Sequence, residues 1–410
     1  MASQDKISSS VSQLRICSTL LLSLNLFGYS FFTSTFASLC GNNSSLITTP
    51  FRALMLALSC WVIILTIGNN KTQHNNTIFY IFLGIFFIYT LKVIFDLYFD
   101  NPLKAGFYYK VMEKYIWFIT IPNTLALALS YRYIDYILAL KISILLCLFG
   151  CIMAFFNMHI YNYQDVGRMA IGNEIQLLNS ISLGHFGASS VILCLTQLKK
   201  DGFFLKVVHG TLITLGFLIV IKAGSRGPIV SLAFAILMLL LSNTESLLKK
   251  VLALLIISLA YCYFEEILHL FSYISPVLEN RFYRTIAEGD IERTTLFNLA
   301  LQEFNKHPFG GGYFMIPYRS YSHNMFVDAL MTFGIWGIFF VIFILIISYD
   351  AYKIVKSKNQ KYQWIGLLFF QLAFANLFSG AFYINMPLIT TIIIISSVKF
   401  DESAENEANS

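Results

Sequence analysis

Residues 291–336 read IERTTLFNLALQEFNKHPFGGGYFMIPYRSYSHNMFVDALMTFGIW, the longest polar segment between two long hydrophobic runs. The segment opens on a helical pattern bearing Arg293, in which Leu296, Leu299 and Phe304 recur on one face, as expected of an amphipathic helix lying over a bundle. It passes through His307-Pro308-Phe309 into Gly310-Gly311-Gly312, where the backbone is free to turn sharply or to approach a ligand closely. The glycine run lacks the lysine and strand setting of a nucleotide phosphate loop. It ends with Ser322-His323-Asn324 at the start of a new apolar helix. The first turn of a helix presents free N–H groups and positive dipole potential, which disfavour imidazolium. His323 is therefore expected to stay neutral and able to take a proton, and to lose that ability as the pH falls through the ordinary imidazole range. A polar residue capping a membrane helix at the interface would occupy the same place.

Composition sets the class. Of 410 residues, 57% are hydrophobic and 12% charged, with a mean hydropathy of +0.68, more apolar surface than a soluble core uses. Runs of about 20 apolar residues each suffice for a membrane helix, and scanning at that length gives roughly twelve. The expected fold is all-α, a polytopic transmembrane bundle of nine helices over 1–268, an outer loop over 269–322 with amphipathic helices, three further helices over 323–400, and a tail at 401–410. The first apolar run is too long for a cleavable signal and is expected to remain as a span, with Lys6 and Arg15 inside. Seven cysteines scattered through apolar runs, with Cys147 and Cys151 one turn apart, suggest neither a metal site nor a disulfide framework. The net charge of +6 is dispersed over loops, which argues against a nucleic-acid partner.

Charge then orients the chain. Counting twelve spans from an inside start places Lys-rich turns on the cytoplasmic side. The opposite face collects Arg52, Arg168, Arg226, Arg281, Arg284, Arg293 and Arg319, seven of the nine arginines; Lys104, Lys110 and Lys114 fall there as well. Arginine offers a planar fork matched to phosphate and carboxylate oxygens, so its enrichment on one face points to an anionic ligand. Lys222 and Arg226 stand one helical turn apart in IKAGSRGPIV, where two like charges at a lipid boundary suit an anion between them, or snorkelling to headgroups. Arg168 leads into a helix carrying Asn179, Ser180, Ser182, Gly184 and His185. Those small polar residues fit either a wet groove or close helix packing, and Asp165 and Glu174 are available as partners of Arg168.

The order of these blocks resembles the O-antigen ligase and polymerase superfamily of bacterial integral membrane glycosyltransferases. Four blocks carry the resemblance: Gly167-Arg168 before a polar helix start, Gly224-Ser225-Arg226-Gly227 opening a span, Arg293 through His307-Pro308-Phe309-Gly310, and Ser322-His323-Asn324 leading to Gly334-Ile335-Trp336-Gly337. It covers about 157–340. The resemblance implies a GT-C-like fold in the bacterial inner membrane and a pocket facing the periplasm. It implies inverting, metal-independent transfer of a glycan from undecaprenyl diphosphate to an acceptor hydroxyl, with no cofactor. On that reading Arg168 and Arg226, with Lys222, hold the diphosphate and His323 activates the acceptor. Arg293, Asn324, Gly310 and Gly311 contact substrate, although Arg293 is equally placed to pair with Asp290 or Glu292. The compact run from Gly310 to His323 favours a polymerase, whose donor and acceptor are both undecaprenyl-diphosphate-linked oligosaccharides and whose further partner is a chain-length regulator protein. A ligase acting on lipid A-core, and a flippase of lipid-linked sugars, are the alternatives; the flippase would more often show repeat symmetry and midplane charges.

Overall fold

The structure, a computed structural model, describes residues 2–39, 45–69, 77–99, 113–160, 168–172, 178–197, 202–242, 262–316, 321–357 and 360–398, with 251, 255 and 258. Outside them lie Gly167, Asp165, Glu174, Lys104, Lys110, Arg319, the 401–410 tail and most of the Lys-bearing turns on which the expected orientation rests. The helices run α1 Ala2–Ser23, α2 Tyr29–Phe36, α3 Ser45–Gly68, α4 Thr77–Phe99, α5 Ile121–Ser130, α6 Tyr136–Asn157, α7 Ser180–Leu195, α8 Phe203–Lys222 and α9 Arg226–Ser242. Further along the chain come α10 Phe264–Ser272, α11 Pro276–Glu288, α12 Ile291–Lys306, α13 Met325–Phe333, α14 Gly337–Lys356, α15 Gln360–Ala375 and α16 Met386–Val398.

The protein is a helical membrane protein. Six helical stretches among the described residues are long and apolar enough to cross a bilayer: Ser10–Leu39, Ser45–Gly68, Thr77–Phe99, Tyr136–Asn157, Phe203–Lys222 and Met325–Lys356. Three more, α7, α9 and α16, are apolar but shorter. The first and last long stretches are not uniform. A π-helical turn at Leu24–Gly28 joins α1 to α2, and a second, Ile116–Thr120, leads into α5. A 3₁₀ turn at Gly334–Trp336 divides α13 from α14. One departure from an all-helical chain is a two-residue antiparallel pair, β1 His159–Ile160 with β2 Met169–Ala170, extended by an Ile171–Leu178 bridge.

Small residues let the central helices meet closely, as lipid-embedded packing requires. A Cβ added at Gly187 of α7 would stand 2.6 Å from the Gly216 carbonyl oxygen of α8, and one at Gly184 would stand 2.6 Å from Pro228 Cγ of α9. The packing alternative for this polar helix is thus realised at its glycines. The polar segment is helical over Ile291–Lys306, where amphipathicity predicts it. Leu296 and Ala300 of α12 are buried against Ile316, Val327 and Met331, with Leu299 partly buried. A buried carboxylate fastens that segment to the bundle: Asp96 of α4 accepts the Phe314 N–H at 2.9 Å and pairs with Lys92 at 2.7 Å. Lys92, a cation in mid-span, is therefore a structural tie.

Candidate functional site

The Ser322-His323-Asn324 turn is held on every side by its neighbours. Asn324 is the N-cap of α13: its Oδ1 accepts the N–H of Phe326 at 3.0 Å and of Val327 at 3.2 Å, and its Nδ2 donates to the Leu377 carbonyl at 3.2 Å. Ser322 donates its N–H to Asp328 Oδ1 at 2.9 Å and its hydroxyl to the Asn324 carbonyl at 3.0 Å. His323, caught between, has φ +64°, the one non-glycine residue with positive φ among the described residues. A bulky side chain in that region costs about 1–3 kcal/mol and persists only where its surroundings impose it.

The geometry corrects one expectation: His323 stands just before the N-cap of α13 instead of in the first turn of the helix. Burial, then the nearby Arg293 guanidinium, push its pKa down to about 4, with Asp290 opposing. Asn324, expected to meet substrate, caps α13 through Oδ1 and ties the turn to the Leu377 carbonyl through Nδ2. His323 Nδ1 is buried without a hydrogen-bond partner among the described residues, and the ring meets Tyr321 edge to face at 4.6 Å. An orphaned buried nitrogen costs about 1–3 kcal/mol, which makes it a natural place for an incoming hydroxyl.

Four of the arginines expected from sequence, Arg168, Arg226, Arg281 and Arg293, gather around Asp290 and Gly224, and Arg293 and Asp290 act electrostatically on His323. Arg226, the first residue of α9, donates to Asp290 Oδ2 at 2.8 Å and to the Arg281 carbonyl at 3.5 Å. Arg293 reaches the same Asp290 oxygen at 3.4 Å, so two guanidiniums share one carboxylate. Arg281 donates to the Gly224 carbonyl at 3.4 Å. Arg168, just before β2, packs on Gly224: a Cβ added there would stand 3.8 Å from Arg168 Cγ. Gly224 has φ +63°, and this bend draws Arg168, Arg226 and Arg281 to one spot. The sequence had left the hairpin that carries Arg168 and the role of Asp290 as hub unread; the Asp290 side chain also caps α12 by accepting the Arg293 N–H.

Lys222 and the glycines fall elsewhere. The helix stops at Lys222 and restarts at Arg226, so the two cations do not share a helical face, and Lys222 Nζ lies 4.7 Å from the centre of the Phe155 ring. Gly310 has nothing within 4 Å of an added Cβ, whereas a Cβ at Gly311 would stand 2.1 Å from the Thr332 carbonyl oxygen. Gly312 donates its N–H to the Met331 carbonyl at 2.7 Å. The glycine run therefore packs on the C-terminal end of α13, about 13 Å of helix away from His323 at a rise of about 1.5 Å per residue.

His323 also opens onto a cavity of 540 Å³, reached by α2, α3, α7, α15, α16 and both π-helical turns. Its wall is largely aromatic and aliphatic, with Arg52, Asn25, His185 and Asn376 among the polar members. Neither π turn was legible as such, and such turns often mark functional sites. Among the described residues no group of three or more His, Cys, Asp or Glu stands together as a metal site. No protein-family model matches the chain and a search of curated proteins finds no significant match, so the functional reading rests on these residues and on the arrangement of His323 between an arginine cluster and a cavity.

Proposed function

We propose that the chain is an inverting, metal-independent glycosyltransferase that polymerises undecaprenyl-diphosphate-linked O-antigen repeat units at the periplasmic face of the bacterial inner membrane, within a GT-C-like bundle of about twelve spans. The observation that carries this reading is His323: its unpartnered Nδ1 is buried, it lines the cavity, and it lies within electrostatic reach of Arg293 and Asp290. A neutral imidazole so placed accepts the proton of an acceptor hydroxyl as that oxygen bonds to the anomeric carbon. The bond from that carbon to the donor diphosphate breaks, and undecaprenyl diphosphate leaves with the electron pair. Arg226 and Arg293 together carry one more positive charge than Asp290 cancels, and Arg168 lies against Gly224 beside them. Fixed guanidiniums in a water-poor site stabilise the developing phosphate charge.

The test is reconstitution. Purified protein given one lipid-linked repeat unit should form ladders of increasing length without another protein. A chain-length regulator would alter only their distribution. In the host, loss of a polymerase leaves lipopolysaccharide capped by single repeat units. Uncapped core with long chains stranded on undecaprenyl diphosphate identifies a ligase instead.

A further inference from the structure

The cavity beyond His323 carries a second polar set that proton transfer and phosphate binding leave unused. Asn25 sits in the π-helical turn Leu24–Gly28, where the extra residue per turn re-aims side chains. It is buried, it lines the cavity, and both its amide nitrogen and its amide oxygen lack a partner among the described residues. His185 of α7 lines the same cavity and presents a defined edge. Ser189 donates its hydroxyl to Gln371 Oε1 at 2.7 Å, which turns the Gln371 amide nitrogen toward His185 Nδ1 at 3.5 Å and the His185 carbonyl at 3.3 Å. An amide nitrogen only donates, so Nδ1 accepts and the ring proton of a neutral His185 resides on Nε2. That Nε2 is buried without a partner among the described residues.

We infer that the cavity holds a neutral sugar subsite, in which Asn25 and the His185 Nε2–H hydrogen-bond the ring hydroxyls of the acceptor glycan. Calling the sugar an acceptor rests on the glycosyltransferase reading; the sugar chemistry does not. Asn25 and His185 offer two kinds of donor and one acceptor, uncharged, and a hydroxyl matches both senses at once. A phosphate would face the Asn25 carbonyl, acceptor to acceptor. A hydrocarbon chain would leave all of these polar atoms unsatisfied. Phe27, Phe51 and Phe186 line the same cavity, and aromatic faces suit the C–H face of a pyranose. Arg52 is the charged side chain of the lining apart from the histidines, and its presence makes a phosphate competitor the necessary control.

The probe is a photoreactive octyl β-glucoside, applied to the full chain in nanodiscs of phosphatidylethanolamine and phosphatidylglycerol. Saturable labelling is expected, displaced by octyl β-glucoside and not by octyl phosphate. Asn25→Leu and His185→Phe should each lower it about tenfold, the usual worth of one neutral hydrogen bond. Monodispersity and melting midpoint show whether each variant folds, and the displacement arm on the unsubstituted protein decides the matter if neither does. Equal displacement by octyl phosphate, or undiminished labelling in a folded Asn25→Leu, overturns the subsite. Labelling as expected without glycan ladders from a lipid-linked repeat unit leaves the subsite standing and removes the polymerase reading. Ladders without labelling do the reverse.

Discussion

The two ends of α13 both carry backbone in the left-handed region, for different reasons. At the C-terminal end, Gly311 at φ +73° and Gly334 at φ +62° let chain segments touch: an added Cβ would stand 2.1 Å from the Thr332 oxygen and 2.3 Å from the Pro308 oxygen. At the N-terminal end the residue at φ +64° is His323. A glycine or asparagine would take that conformation at less cost, so the strain at His323 is kept for the sake of its side chain. Its imidazole lines a cavity with one nitrogen unpartnered, whereas the glycines are consumed by packing. A strained residue that keeps a buried nitrogen unpartnered among the described residues is the stronger sign of chemistry.

The comparison breaks most easily at the packing end. Gly311→Ala forces a methyl group into backbone that has nowhere to go, and a loss of about 3 kcal/mol or more is expected from overlap and positive φ together. Thermal unfolding in detergent reads it. Gly310→Ala, one residue earlier with nothing within 4 Å of the new Cβ, should leave the midpoint unchanged. If both substitutions were silent, the glycine run would not be packing on α13.

At the other end, stability and activity should separate. His323→Asn places a residue tolerant of positive φ in the turn, so the melting midpoint should hold or rise by the equivalent of about 1 kcal/mol. Transfer should fall by roughly 10²–10⁴-fold, the usual worth of a positioned general base. Activity retained in His323→Asn would reduce this end to another capping turn.

Legibility follows the same divide. Hydropathy marked the helices of the bundle, and the apolar spacing of Leu296 and Leu299 marked the buried face of α12, because one-dimensional patterns are fixed by which face meets the core. The arginines were legible as a class, since side-chain chemistry is written in the residue itself. Their partners were not: Asp290 lies 64 positions from Arg226, and only the bend at Gly224 brings them together. The two ends of α13 were not told apart, because a glycine run and a Ser-His-Asn turn look alike as polar breaks, and what separates them is distance along a helix that both border. Asn25 was invisible within an apolar run, for a π turn leaves no periodic mark.

A smaller effect tests how the arginine cluster is used. Arg226→Lys keeps the charge near Asp290 and removes the fork, so turnover should fall roughly 10²-fold with membrane insertion intact. Near-normal turnover would mean that a point charge suffices there, and that the pairing with Asp290 is the whole of its role.

The smallest expected effect is the most diagnostic, because it reads the link between the cluster and the base. As a base His323 acts only when neutral, and with its pKa pushed down to about 4 it stays neutral at pH 6.5 and well below. The rate should therefore be flat from pH 7.5 to about 5.5 and fall as the pH approaches 4, where an ordinary imidazole would already have halved the rate near 6.5. Burial is the larger cause of the depression and Arg293 the smaller. Arg293→Gln removes a positive charge that disfavours imidazolium, so the acid limb should move upward from about 4 yet stop short of the ordinary imidazole range. Asp290→Asn removes a charge that favours imidazolium, and its limb should move downward. Opposite displacements in the two variants, with the plateau little changed in Arg293→Gln, are what a base tuned by its neighbours requires. A limb unmoved in both would place the titrating group elsewhere than His323.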